Sequence, residues 1–147
     1  MSDQSVYFLT ICCKQRSHND LVQNGIPEKL LESAAFYERQ RKWLCRLMVL
    51  MPDHLHGLFV FPQDASVTKT ITAWKSHHAR KTGIKWQDGF FENRIRNDTE
   101  FDEKSAYILK NPLRAGLVKE VDDWPFVHDT RNPPRRIPTD GRQAGGY

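Results

Sequence analysis

His54 and His56 stand one residue apart in MPDHLHGLFVF (51–61), a stretch that otherwise has the composition of an apolar strand. Residues two apart on a strand share a face, with Cα atoms ~6.8 Å apart. At that spacing two imidazoles can converge on one divalent cation through bonds of ~2.1 Å. The pair also fits a plainer arrangement: two solvated histidines on a half-exposed sheet, or histidines that each bond a carbonyl. Two imidazoles do not complete a metal site, so a third ligand has to come from elsewhere in the chain. Leu55, Phe59 and Phe61 point the other way, towards an expected core.

A second grouping lies in YILKNPLRAGLV (107–118). On a helix Phe101, Ser105, Ile108 and Leu109 form one arc, while Tyr107 and Asn111 share a face with Lys104 well outside it. A core tyrosine would point with Ile108. Either Tyr107 is a boundary residue whose hydroxyl reaches water, with Asn111 an ordinary stop before Pro112, or the two are presented for chemistry. The other candidate ligands are poorer. Cys12, Cys13 and Cys45 are odd in number and form no CxxC or Cys/His array, so they read as reduced thiols of a cytoplasmic protein. His77 and His78 are adjacent on an expected helix, where neighbours diverge by about 100°, and are not a second metal pair.

These groups need a frame. VYFLTICC (6–13) reads as a first strand, and Pro27 opens a helix through PEKLLESAAFYERQR. WLCRLMVLM (43–51) and HLHGLFVF (54–61), separated by Pro52 and Asp53, read as an antiparallel hairpin in the middle of a sheet. Residues 64–82 make a second helix, capped by Asp64 or Ser66 and ended by Gly83. A short strand is expected around Phe90 to Arg96. A third helix over 99–111 is capped by Asp98 or Thr99, and Pro112 disfavours helical geometry at Asn111 and stops it there. The order β-α-β-β-α-β plus a helix predicts a ferredoxin-like α+β sandwich, an antiparallel sheet with helices packed on one face and a C-terminal helix carrying Tyr107. Residues 1–129 form the domain. Residues 130–147, rich in Pro, Gly and Arg, have little to bury and read as a disordered tail.

The chain has 147 residues, enough for one domain with a real core and no stapling by disulfide or metal. Lys and Arg outnumber Asp and Glu by 22 to 18, a modest basic excess that suits a polyanionic partner. No basic-then-apolar leader precedes the first strand, and no apolar run approaches the ~18 residues of a membrane span.

In combination these motifs resemble the REP-associated tyrosine transposases, a branch of the single-tyrosine HUH transposases, over about residues 5–127. MPDHLHGLF resembles the family's histidine–hydrophobic–histidine motif. WQDGFFENRIRNDTEF resembles the segment ahead of the catalytic helix, and YILKNPLRAGLV its Tyr-x-x-x-Asn-Pro block. One departure is Gly57, which follows the second histidine where an aliphatic residue is commoner.

The resemblance implies an α+β nuclease domain that nicks single-stranded DNA beside a hairpin, leaving a phosphotyrosyl 5′ end and a free 3′ hydroxyl. By motif match Tyr107 is the nucleophile, and His54, His56 and Asn111 hold the metal, Mg²⁺ or Mn²⁺. A free tyrosine has a pKa of ~10, so only about one in a thousand is phenolate at neutral pH, a deficit of ~4 kcal/mol. A Lewis-acidic cation at the scissile phosphate offsets part of it. Lys75, Trp86, Phe91, Arg94, Arg96 and Arg114 are the expected DNA contacts, cations along phosphates and aromatic faces under unpaired bases. Each of them taken singly also fits a solvated face or a core aromatic. Arg131, Arg135, Arg136 and Arg142 would add nonspecific affinity. A monomer with a self-contained site is favoured over a homodimer that exchanges the tyrosine helix. The rival is a noncatalytic hairpin-binding module, either a degenerate transposase or an RNA-recognition domain, although the ribonucleoprotein aromatic signature is missing.

Overall fold

The computed structural model describes residues 5–131. In chain order they form β1 (Val6–Cys12), α1 (Ile26–Arg39), β2 (Leu44–Leu50), β3 (His54–Val60), α2 (Val67–Thr82), β4 (Phe91–Ile95), α3 (Asp98–Arg114) and β5 (Val127–Asp129). The strands make one antiparallel sheet in the order β4-β1-β3-β2-β5. This is the expected α+β sandwich, extended at one edge by β5, whose three residues are too short to show a periodicity.

Alternation along the central strands sorts side chains into two cores. Leu9, Ile11, Leu55 and Phe59 face α1 and α2, where they meet Leu30, Ala34, Ile71 and Trp74. Phe8, Leu47, Val49 and Leu58 face the opposite way and are covered by Ile108 and Leu109 of α3, with Trp124 alongside. Fully burying each such aliphatic side chain stabilises by roughly 1.5–3 kcal/mol, so α3 is held to the sheet chiefly by this contact. The sheet is therefore covered on both faces, and α3 lies on the histidine side.

Local signals fix most of the helix ends. Ser66, not Asp64, caps α2, its Oγ accepting from the Lys69 amide at 3.1 Å, and Gly83 closes it at φ 82°. Asn97 caps α3 in place of Asp98 or Thr99, its Oδ1 accepting from the Glu100 amide at 2.8 Å. The expected stop at Asn111 does not occur, because α3 runs through Pro112 to Arg114. Only two helical residues follow the proline, and a left-handed Gly116 (φ 77°) completes the end. There the Leu117 amide donates to Pro112 O at 2.9 Å and the Gly116 amide to Leu113 O at 3.0 Å, satisfying carbonyls the helix end leaves open. A proline so near the terminus sacrifices one hydrogen bond and little else.

The expected tail lies outside the described residues from 132 onward, with Arg135, Arg136 and Arg142. Thr130 and Arg131, counted with it above, are tied to the sheet. The Thr130 amide donates to Arg46 O at 3.0 Å, and the buried Arg131 guanidinium pairs with Asp129 at 2.9 Å. Arg131 is thus committed to an ion pair rather than offered to a polyanion. No helix among the described residues is long and apolar enough to cross a membrane.

Candidate metal and nucleophile site

The β1–β3 register places Thr10 opposite His56 and Cys12 opposite His54, and directly opposed residues share a face. Both imidazoles therefore point to the side that α3 covers. Their ring centroids are 4.8 Å apart. His56 is only 6% exposed, beneath α3, so the half-exposed sheet considered from sequence is not what the fold builds.

Each imidazole is fixed through its Nδ1. His56 Nδ1 lies 2.9 Å from Thr10 Oγ1, and His54 Nδ1 lies 2.8 Å from Asp53 Oδ1. Asp53 is itself clamped. Arg16 donates Nε to Oδ2 at 3.0 Å, and the Ser17 amide donates to the same oxygen at 2.7 Å. Ser17 reaches that position in the left-handed region, φ 70°, a strained conformation for a non-glycine residue. Burial opposes ionisation of Asp53, but hydrogen bonds from Arg16, Ser17 and His54 outweigh it and hold the carboxyl well below the usual carboxylate range. An ionised Asp53 can only accept, so His54 donates its Nδ1 proton to it and turns Nε2 towards the site. A carboxylate behind a ligating histidine is the usual outer partner in metal sites. Burial, followed by the charges of His54, Arg114 and Arg16, pushes His56 down to about 3, so this ring is neutral at physiological pH. The donor set fits a divalent cation.

α3 brings the phenol to the same place. Tyr107, 46% exposed, sets its ring 5.8 Å from that of His56 and edge-on to Phe8 at 6.3 Å, centroid to centroid. Asn111 follows one turn later on the same helix, half-buried. Arg114 is two turns on from Tyr107 and still helical because α3 passes Pro112. Its guanidinium lies 4.6 Å from the Tyr107 ring centroid, and one of its N–H groups donates to Tyr107 O at 2.7 Å. Lys104 Nζ lies 5.2 Å from the centre of Phe8, the ring under Tyr107.

The expected DNA contacts divide. Phe91, 62% exposed, is in register with Thr10 and hence in the row of His56 on the site face. Arg96, exposed one residue past the far end of β4, pairs loosely with Glu100 at 3.5 Å. Arg96 lies between β4 and the cap of α3, while Phe91 and Arg114 stay on the candidate surface. Lys75 does not, since its buried ammonium donates to Gln87 O at 2.9 Å and Gly89 O at 2.6 Å, joining α2 to the following loop. Trp86 packs on the α1/α2 core and donates its indole N–H to Lys75 O at 2.9 Å. Arg94, opposite Tyr7, projects to the α1/α2 side of the sheet, away from the histidines.

Thr10, Arg16 and Asp53 were missed. An aspartate directly before the first histidine was a readable signal. The other two approach through pairings 46 and 37 residues apart in sequence.

Residues 2–111 match the family model described as transposase, IS200-like. A REP-associated tyrosine transposase of Escherichia coli is 33% identical over 92 residues, 60% of this chain and 56% of that protein, little more than half the relative's length. A candidate REP-associated tyrosine transposase of Haemophilus influenzae is 27% identical over 141 residues, 82% of this chain and 77% of its own. Among solved structures, a REP-associated tyrosine transposase bound to a REP hairpin superposes with a TM-score of 0.73 at 28% identity, covering 84% of this chain and 75% of that one.

Proposed function

This chain belongs to the IS200-like transposase family, and from that premise we propose that it is a metal-dependent transposase that cuts single-stranded DNA beside a hairpin. Tyr107 is the nucleophile, and His54, His56 and Asn111 hold the cation. The observation that carries the reading is the Tyr107 ring 5.8 Å from His56, with each imidazole oriented through its Nδ1.

The Tyr107 oxygen attacks the scissile phosphorus, forming a phosphotyrosyl bond to the 5′ side as the 3′ oxygen leaves with a proton. The phenolic proton passes to solvent, to which the half-exposed ring is open. A bound Mg²⁺ or Mn²⁺ would act as a Lewis acid on the phosphoryl oxygen. Arg114 positions Tyr107 from above and offers its remaining N–H groups to a phosphate. Phe91 extends the same face, an aromatic plane suited to an unpaired base. The ester keeps the energy of the cut bond, so rejoining a strand needs no nucleotide cofactor. One chain supplies both histidines and the tyrosine, which supports a monomer with a self-contained site. The hairpin held by the solved relative makes hairpin DNA the proposed partner here.

Full-length protein incubated with single-stranded hairpin oligonucleotides and Mn²⁺ or Mg²⁺ should give a protein–DNA adduct on a denaturing gel. Tyr107→Phe, which loses only the hydroxyl, should give none while binding DNA within a few-fold of wild type. An adduct formed by Tyr107→Phe would remove Tyr107 from the role.

A further inference from the structure

On the sheet face away from His54 and His56, three ligand-bearing residues from three elements meet. They are Glu38 in the last turn of α1, Cys45 near the start of β2 and His128 in β5. One ligand atom of each lies within 4.8 Å of the other two, which holds for no other such cluster of His, Cys, Asp and Glu among the described residues. Glu38 Oε2 accepts from the Cys45 amide at 2.9 Å and lies 3.0 Å from His128 Nε2. The carboxylate and imidazole are partly open to solvent, and the thiol behind them is fully buried. We propose that Glu38, Cys45 and His128 form a second cation site, for a borderline-soft ion of the Zn²⁺ class, with water in the fourth position.

The donor set is the reason. One thiolate, one imidazole and one carboxylate are three of the four ligands of a tetrahedral Zn²⁺ centre. With bonds of ~2.0–2.3 Å such an ion holds its ligands roughly 3.3–3.7 Å apart, so from a spread of up to 4.8 Å the cluster has to close by about 1–1.5 Å at most. The parts able to move are at hand, since β5 is a three-residue edge strand and Glu38 sits one residue from the end of α1. The Cys45 sulfur lies at the β2 bulge, between Cys45 and Leu47, where the Leu47 amide hydrogen-bonds to it, an outer-shell donor suited to a thiolate. Without a cation the surroundings oppose that thiolate, because burial and the Glu38 charge push the thiol up. A dication reverses both influences. Mg²⁺ prefers oxygen ligands and does not compete for a site built on a thiolate. Occupied, this one staples the chain that follows α3 to β2 and to the end of α1.

The test is Co²⁺ added to metal-stripped full-length protein, read as sulfur-to-cobalt charge-transfer absorption in the near ultraviolet. Wild type and His54→Ala should both show the band at one equivalent, and Zn²⁺ should displace it. Cys45→Ser should lose it, and His128→Gln, at the sheet edge where folding is not at stake, should weaken Co²⁺ binding at least tenfold. Zn²⁺ should also raise the thermal midpoint of His54→Ala, in which the first site is disabled, by several degrees and leave that of the His54→Ala/Cys45→Ser double variant unmoved. A wild type with no charge-transfer band overturns the proposal. So does a band that survives both Cys45→Ser and His128→Gln, which would assign the sulfur to Cys12 on the other face.

Discussion

Asp53→Asn isolates the step that would turn two histidines into the proposed metal site. Asp53 Oδ1 faces His54 Nδ1 at 2.8 Å, while Oδ2 takes Arg16 Nε at 3.0 Å and the Ser17 amide at 2.7 Å. An asparagine of the same shape has one oxygen and one NH₂ to divide between these sides. With its NH₂ towards Arg16 and Ser17, two donors lose their acceptor, each at a cost of about 1–3 kcal/mol. With the oxygen there, the NH₂ faces His54 Nδ1 and forces that nitrogen to accept. The proton then moves to Nε2, the nitrogen a cation needs. The second arrangement leaves fewer donors unpaired, so the substitution inverts the His54 tautomer. Loss of an outer-shell partner typically weakens metal binding 10–100-fold, equivalent to about 1.4–2.7 kcal/mol. We expect that loss for Mn²⁺, measured by calorimetry on the full chain with His54→Ala as the zero reference. Nitrogen-15 spectra of the imidazoles should show the Nε2–H form. Mn²⁺ affinity within threefold of wild type, in a protein of unchanged fold, would refute the argument.

Other perturbations probe other parts. Arg114→Ala removes the cation over the Tyr107 ring and a 2.7 Å bond to its carbonyl; charge-assisted bonds of this kind are worth about 1.5–3 kcal/mol, so adduct formation should slow by roughly 10–100-fold. Arg114→Lys should not restore the rate, because an ammonium cannot both stack and donate sideways. Gly57→Ala drives a Cβ into the Phe59 ring and to 3.0 Å from Leu47 O. With Phe59 wedged against Trp43, overpacking should destabilise by about 1–3 kcal/mol in urea titrations. His78 is lowered to about 4 by burial and then by His77, against ~6.5 for a free histidine. The unfolded chain thus binds the extra proton between those values, so stability is full above ~6.5 and falls as pH drops towards 4, by no more than ~1.4 kcal/mol per pH unit. The urea midpoint at pH 5 should lie below that at pH 7, with a smaller gap in His78→Leu.

What the sequence could tell followed from periods of two and of 3.6. Those periods put His54 with His56 and Tyr107 with Asn111, and they supplied the strand and helix order. Contacts between distant segments were not legible. Lys75 and Trp86 have the composition of a DNA-binding helix and loop, yet no local pattern says whether an ammonium meets phosphates or buried carbonyls. Arg94 depended on the parity of β4 against β1, which is set by pairing across more than eighty residues. At Pro112 a sound local rule lost to the helix end around it, where a left-handed glycine closes the last turn. Gly57 appeared in the sequence as an unexplained departure. The fold supplies its cause, since the Phe59 ring occupies the space an aliphatic side chain would take.

The charges around the histidines belong to more than the imidazoles. Arg16 and Arg114 both act against protonation of His56, and Lys104 stands over the adjacent Phe8. A site meant for a cation alone would be surrounded by acids, yet here the acid nearest the pair, Asp53, is already neutralised by Arg16. Positive groups around a cation site repel the ion until a polyanion enters between them. Phosphate would relieve that repulsion and occupy ligand positions that two imidazoles and an amide leave open. On the proposed reading the basic groups and the imidazoles are thus one arrangement, in which cation and DNA backbone would favour each other's binding by the same factor.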